Sequence, residues 1–273
     1  MNKKGKTMNL EFKELNHLID YVDSNNIEIK QPVGMRGHVV FKDSNENTIF
    51  EKDNTIVLRG RTFALEKLFG IEIDDHLSAA TATRDAYLRG LERTLCLFGC
   101  GSGGTPNNSP FNPTPPGYDD QKLAAPAPFR VVYGQDFGGN STEVPTLPST
   151  IKDKYPHTKT VQTADGYFNS EFYYKNFDNM TWGLKRDTNE VYRKIRLSIL
   201  EDDFRTIRER ANEYKREILI NELGLFIARK EIDGTVVTVP ELFSRITFDS
   251  ESLRSASVTG ATKEIFIDYY IFG

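Results

Sequence analysis

Three apolar, aromatic-rich runs dominate the last 55 or so residues of the chain: Ile218–Ala228, Pro240–Phe248 and Lys263–Gly273. Each is bounded by polar or turn-forming residues, and runs of this kind predict strands. In the third, Ile265, Ile267, Tyr269 and Ile271 alternate with Phe266, Asp268, Tyr270 and Phe272. Side chains alternate across a strand with period two, so the first set predicts a core face. The second set, aromatic around one aspartate, predicts a face to be covered by something else.

The same reading applied upstream gives more strands. Residues 36–42 and 48–52 are short apolar segments separated by Asp43-Ser44-Asn45-Glu46-Asn47, whose side chains favour turns, so the pair predicts a β-hairpin. Residues 94–104 predict a strand running into a glycine-rich end, and residues 167–174 and 191–199 predict two more. The last is half-exposed, with Val191, Arg193, Ile195, Leu197 and Ile199 on one side and Tyr192, Lys194, Arg196 and Ser198 on the other. Helical spacing appears in two places. Leu15, Leu18, Ile19 and Val22 mark a short amphipathic helix in residues 9–24, and Phe63, Ala64, Leu65 and Leu68 mark another that stops at Gly70. The charged stretch from Asp202 to Arg216 predicts a short helix or a solvated turn.

Residues 105–170 differ in character. They hold most of the prolines, and proline at that density excludes central strands and helix interiors. Phe111, Tyr118, Phe129, Val131, Val132, Tyr133 and Phe137 supply anchors, so the segment reads as an arm that orders on a neighbour rather than as a linker. The predicted fold is therefore mainly β, a β-sandwich-like core with a few short helices and a long Pro/Gly-rich loop insertion. Residues 1–35 form an N-terminal extension, and residues 36–273 form the β domain, interrupted by the arm at about 105–165.

Composition narrows the function. The chain has 273 residues, 38% hydrophobic and 27% charged, which suits a sizeable soluble core. Its formal net charge of -4 gives no electrostatic reason to bind nucleic acid or an anionic membrane. No run approaches the roughly 18 apolar residues that span a bilayer. The basic start Met1–Lys6 is followed by no apolar signal core, so export by a signal peptide is not expected.

Motifs for chemistry are weak. Gly101-Ser102-Gly103-Gly104-Thr105 lacks the Gly-Lys-Ser/Thr ending of a phosphate loop, and proline-rich sequence follows it where a dinucleotide fingerprint needs a helix. In Gly99–Gly103, Cys100 and Ser102 flank the position where a nucleophile elbow places its serine. The two cysteines, Cys96 and Cys100, have no metal-site spacing and read as reduced structural residues. The pairs Asp74-Asp75, Asp119-Asp120 and Asp202-Asp203 read as solvated carboxylates rather than acid/base or calcium sites. No catalytic residue, cofactor site or metal site is expected.

Three segments together resemble a widespread family of bacteriophage tail, baseplate and neck structural proteins. They are Asn54–Arg61 with Leu65–Gly70, Leu97–Pro106, and Ile220–Phe226 with Leu242–Phe248 and Ile267–Phe272. The resemblance covers about half the chain and implies strands of a β-sandwich around an opening helix. It supplies no catalytic residue. It implies a non-enzymatic virion component, a baseplate (wedge) or neck protein, assembled in the host cytoplasm with other virion proteins as a homo- or hetero-oligomer. The expected subunit contacts are Phe111, Tyr118, Phe129, Tyr133, Phe137, Phe266, Tyr270 and Phe272. Two alternatives stand beside it: a receptor or glycan-binding tail module, stacking sugars on Tyr118, Tyr133, Tyr155 and Trp182, or a tail-fibre attachment protein; and a glycan hydrolase using Asp119, Asp120 or Glu143.

Overall fold

The computed structural model describes residues 35–70, 87, 90–106, 112–133, 149–162, 164, 166, 168–186, 188, 190–200, 203, 220–232, 234–249 and 264–273. The expected helix at 9–24, most of the N-terminal extension, Asp74, Asp75, Phe111, Phe137, Glu143, Asp202 and most of the charged 202–216 stretch lie outside the described residues.

The fold is mainly β. The hairpin forms as expected, with β1 (Arg36–Lys42) antiparallel to β2 (Thr48–Ile56). Asp43 builds the turn by accepting the backbone N–H groups of Asn45 and Asn47, each at 2.9 Å. Its second oxygen takes the Asn47 amide at 3.1 Å. β2 is longer than predicted, and the extra length has a consequence. Residues up to Asn54 pair with β1, whereas Thr55 and Ile56 pair with Arg245 and Ser244 of β12 (Glu241–Thr247). One strand thus belongs to both halves of a large antiparallel sheet that curls around a shared core.

One half continues from β12 through β11 (Glu222–Arg229) to β3 (Arg93–Gly101). It ends on two-residue strands, β4 (Pro126–Ala127) and β8 (Lys175–Asn176), both paired to β3. The other half runs β1, β13 (Ile265–Phe272), β10 (Glu190–Ile199), β9 (Asn179–Lys185). A separate small sheet orders β5 (Arg130–Tyr133), β7 (Phe168–Phe172) and β6 (Lys159–Gln162).

Every residue of β11 is buried, which explains why its sequence reads as a continuous apolar run rather than an alternation. Leu223, Leu225 and Ile227 enter the main core with Val39, Phe41, Ile195, Leu197, Ile267 and Tyr269 from the other half. Phe226 and Ala228 enter a smaller core with Leu97, Leu123 and Leu242. The Tyr269 hydroxyl donates to Ser244 Oγ at 2.5 Å and accepts from the Asn54 amide, which ties β13, β12 and β2 together across the curl.

The helix α1 (Leu58–Phe69) ends at Gly70, whose φ of 66° is the left-handed conformation that glycine adopts without cost. Its buried face matches the predicted one only at Phe63. Gly60, Phe63 and Glu66 face inward, while Leu68 is 75% exposed. A Cβ on Gly60 would stand 2.1 Å from the Phe243 carbonyl oxygen, so the helix sits against β12 at backbone distance. Glu66 is tolerated inside because Arg93 Nη1 reaches it at 2.5 Å.

The proline-rich segment is also corrected where it is described. Leu123, Phe129, Val131, Val132 and Tyr155 are buried in this chain's own cores, Tyr155 following the short helix α2 (Ser149–Lys154). Glu222 is the reason. Its carboxylate accepts the N–H groups of Gly103 (3.1 Å), Ala124 (3.0 Å) and Ala125 (2.8 Å). Arg245 bridges it to Asp120, at 2.7 Å on each side. Amides that a phosphate loop would offer to a ligand are therefore spent within the chain: Ser102 N–H on the Ala125 carbonyl at 2.9 Å, Gly103 N–H on Glu222, and Gly104 N–H on Asn221 Oδ1 at 2.7 Å.

Candidate interaction face

The outer face of β1, β13, β10 and β9 holds the most unusual surface among the described residues. Strand register places its side chains in rows. Arg36, Phe272, Tyr192 and Gly183 form one; His38, Tyr270, Lys194 and Thr181 the next; Val40, Asp268, Arg196 and Asn179 the third; Lys42, Phe266 and Ser198 the last. Cations and aromatic rings thus interleave. Arg36 lies 4.0 Å above the Phe272 ring, Arg196 4.4 Å above Phe266, and Lys194 5.7 Å from Tyr270. Such contacts are attractive through the ring quadrupole. Tyr192 packs edge-on to Tyr270 at 5.5 Å and tilted to Phe272 at 5.8 Å.

Asp268 anchors this array. It is fully buried, with Lys42 Nζ at 2.7 Å and Lys194 Nζ at 3.1 Å from Oδ2, and Arg196 Nη1 at 2.8 Å from Oδ1. Burial opposes its ionisation. Lys42, Arg196 and Lys194 together outweigh burial and hold its carboxyl below the usual aspartate range. Arg196 also pairs with Glu46 from the hairpin turn. At the far end Arg36 meets both Glu190 oxygens at 2.7 Å. Asn179, Thr181, Lys194 and Arg196 line an open groove of about 250 Å³.

The chemistry on offer is recognition. Tyrosine and arginine are the residue types that anchor interfaces, and here they pack against neighbours of their own chain. Asp268, read from sequence as part of a face to be covered by something else, is ion-paired with cations of its own chain.

The expected contact residues divide. Phe266 and Tyr270 are half-buried on this face, and Phe272 is nearly buried beneath Arg36. Tyr118 is 44% exposed but lies elsewhere: its carbonyl takes the Leu58 N–H at 2.7 Å, and Arg61 stands 5.6 Å from its ring. Tyr133 ends β5 and is half-buried. Phe129 is fully buried in the main core against Phe98, so it does not contact a partner as expected. Tyr155 is likewise buried and unavailable for sugar stacking, whereas Trp182 is 72% exposed. Of the candidate acids, Asp119 is exposed and Asp120 is committed to Arg245 and the Gly117 N–H. Asp203 is buried beside Lys175 and Lys154, at 2.8 and 2.7 Å.

Cys96 and Cys100 carry free thiols, and burial raises the pKa of both. A bulge in β3 gives Cys96 no partner in β11 and reverses the alternation there. Cys96 therefore packs against the smaller core and Cys100 sits in the main one, so the two thiols cannot converge. No helix of the described residues is long and apolar enough to cross a membrane.

The sequence reading missed β9. Its signal, Met180, Trp182 and Leu184 alternating with Thr181 and Gly183, is present but short and glycine-containing. Comparison with family models, curated proteins and solved structures finds no match to the chain.

Proposed function

We propose that the protein is a non-enzymatic structural component of a bacteriophage virion, a baseplate (wedge) or neck protein that acts by fitting against neighbouring subunits. The observation that carries this reading is the outer face of β1, β13, β10 and β9, where cations and rings alternate around buried Asp268. A face whose Tyr and Arg side chains already pack against neighbours of their own chain suits docking on a protein surface. The resemblance of Asn54–Gly70, Leu97–Pro106 and the closing strands to phage tail, baseplate and neck proteins supports the same reading. The contacts lie on this sheet face and not on the described parts of the proline-rich segment, which serve this chain's own core.

The double variant Tyr192→Ala/Tyr270→Ala tests it. Both side chains sit on the face and outside the cores, so the fold is expected to survive. Particles assembled with the variant are expected to lack the protein, or to be incomplete at one end of the tail. Normal incorporation of the variant would refute this face as the docking surface.

A further inference from the structure

We propose that two copies of this chain pair antiparallel through β9, continuing the large sheet across a twofold axis centred on Trp182. This deepens the assembly reading by naming a partner and a register.

The large sheet has two ends. One is closed by two-residue strands, β4 and β8, on β3. The other is β9, seven residues long and outermost in the order among the described residues. Proteins normally blunt such an edge with proline, a bulge or central charges. β9 has no proline, pairs with β10 in unbroken register from Lys185 to Asn179, and carries a single charge at its end, Lys185.

Its side chains make the case more specific. Met180 (48%), Trp182 (72%) and Leu184 (50%) are exposed and share one face. Register places them opposite Ile195, Arg193 and Val191, so they continue the sheet's core-facing side beyond the core. Val191, 53% exposed, extends the apolar patch by one strand.

Sequence spacing then selects the partner. A twofold axis through Trp182 sets Trp182 against Trp182, Met180 against Leu184, Thr181 against Gly183 and Asn179 against Lys185. All three apolar side chains meet apolar side chains on one face, and the lone cation meets an amide. Shifting the axis to Thr181 sets Leu184 against Asp178, and shifting it to Gly183 sets Met180 against Arg186, so each shift leaves one apolar side chain facing a charge. The strand is thus complementary to itself in pattern and charge, as an isologous contact requires. The strand pair alone is smaller than the roughly 1,200 Å² of a stable interface, so exchange at micromolar concentrations is expected for free protein.

The test uses the full chain. Sedimentation equilibrium from 1 to 200 µM is expected to show a reversible monomer–dimer equilibrium. Trp182→Lys should weaken it by at least about 30-fold, as loss of a central tryptophan anchor does, with an unchanged melting curve. Oxidative cross-linking with Trp182 kept in place reads the register: Met180→Cys should cross-link to Leu184→Cys in a mixture, more than either variant does to its own kind. Wild-type chain, with Cys100 buried and Cys96 half-buried, sets the background. A monomer throughout the range, a dimer indifferent to Trp182→Lys, or the reverse cross-linking pattern overturns the proposal. A monomer that still enters particles would sink the β9 pairing and leave the virion reading standing. A dimer absent from particles would do the opposite.

Discussion

Replacing Asp268 with asparagine removes one charge and almost no volume, so its effect isolates the electrostatic anchor of the outer face. Three cations stand at 2.7, 2.8 and 3.1 Å from the carboxylate, Lys42 from the end of β1 and Arg196 and Lys194 from β10. Each such pair is worth about 4 kcal/mol at an effective dielectric constant of 20, before the cost of dehydrating the ions is set against it. The cations are partly solvated, with side-chain exposures of 21%, 21% and 32%, so water screens much of that attraction. Removing the one charge that all three share leaves them facing each other. A net loss of about 2–4 kcal/mol follows, at the lower end of what breaking a fully buried pair costs. With a urea slope of about 2–3 kcal/mol/M, the midpoint should fall by about 1 M.

The sign of the pH dependence adds a second check. The native pKa of Asp268 is depressed, so its contribution is present above the unfolded-state pKa and disappears as pH falls through the lower native value. The gap between wild type and Asp268→Asn should therefore be full at pH 7 and close on acidification below the ordinary aspartate range. Urea melts at pH 7, 5, 4 and 3 measure it. A gap under ~0.5 kcal/mol at pH 7, the size of an ordinary surface change, or a gap as large at pH 3 as at pH 7, would refute the reasoning.

Other expectations follow from particular contacts. Glu222→Gln should cost about 3 kcal/mol and open residues 112–127 to limited proteolysis, because its carboxylate holds Gly103, Ala124, Ala125 and Arg245 together. Gly60→Ala should cost about 1–3 kcal/mol in thermal or urea melts, since its Cβ would meet the Phe243 carbonyl oxygen at 2.1 Å. Phe129→Ala should cost about 3–5 kcal/mol, as a cavity in the main core does, whereas Tyr118→Ala on the surface should stay within about 1 kcal/mol in the same assay.

The hairpin, α1 and strands β10 to β13 were legible because local chemistry and global fold agree there. Asp43 makes the turn its side chain favours, Gly70 ends the helix, and β13 splits its side chains as period two requires. The helix face was misread because Glu66, a charged residue, occupies a core position that only Arg93 makes tolerable. The outer face was half legible. Its aromatic residues could be named from β13 alone, but the cations around Asp268 come from β1 and β10, and Arg196 is 72 residues away. The proline-rich segment looked like an arm because its tether, the Asp120–Arg245–Glu222 chain, spans 125 residues of sequence and leaves no periodic trace. Strands β4 and β8 are too short to carry any periodicity.

The most direct test of the assembly reading is immunogold electron microscopy of gradient-purified phage particles, using antibody raised against the full chain. Label fixed at one end of the tail, baseplate or neck, with the protein present in constant proportion to the other particle proteins, is the predicted result. Protein confined to the soluble fraction, with particles unlabelled and of normal form, would contradict it.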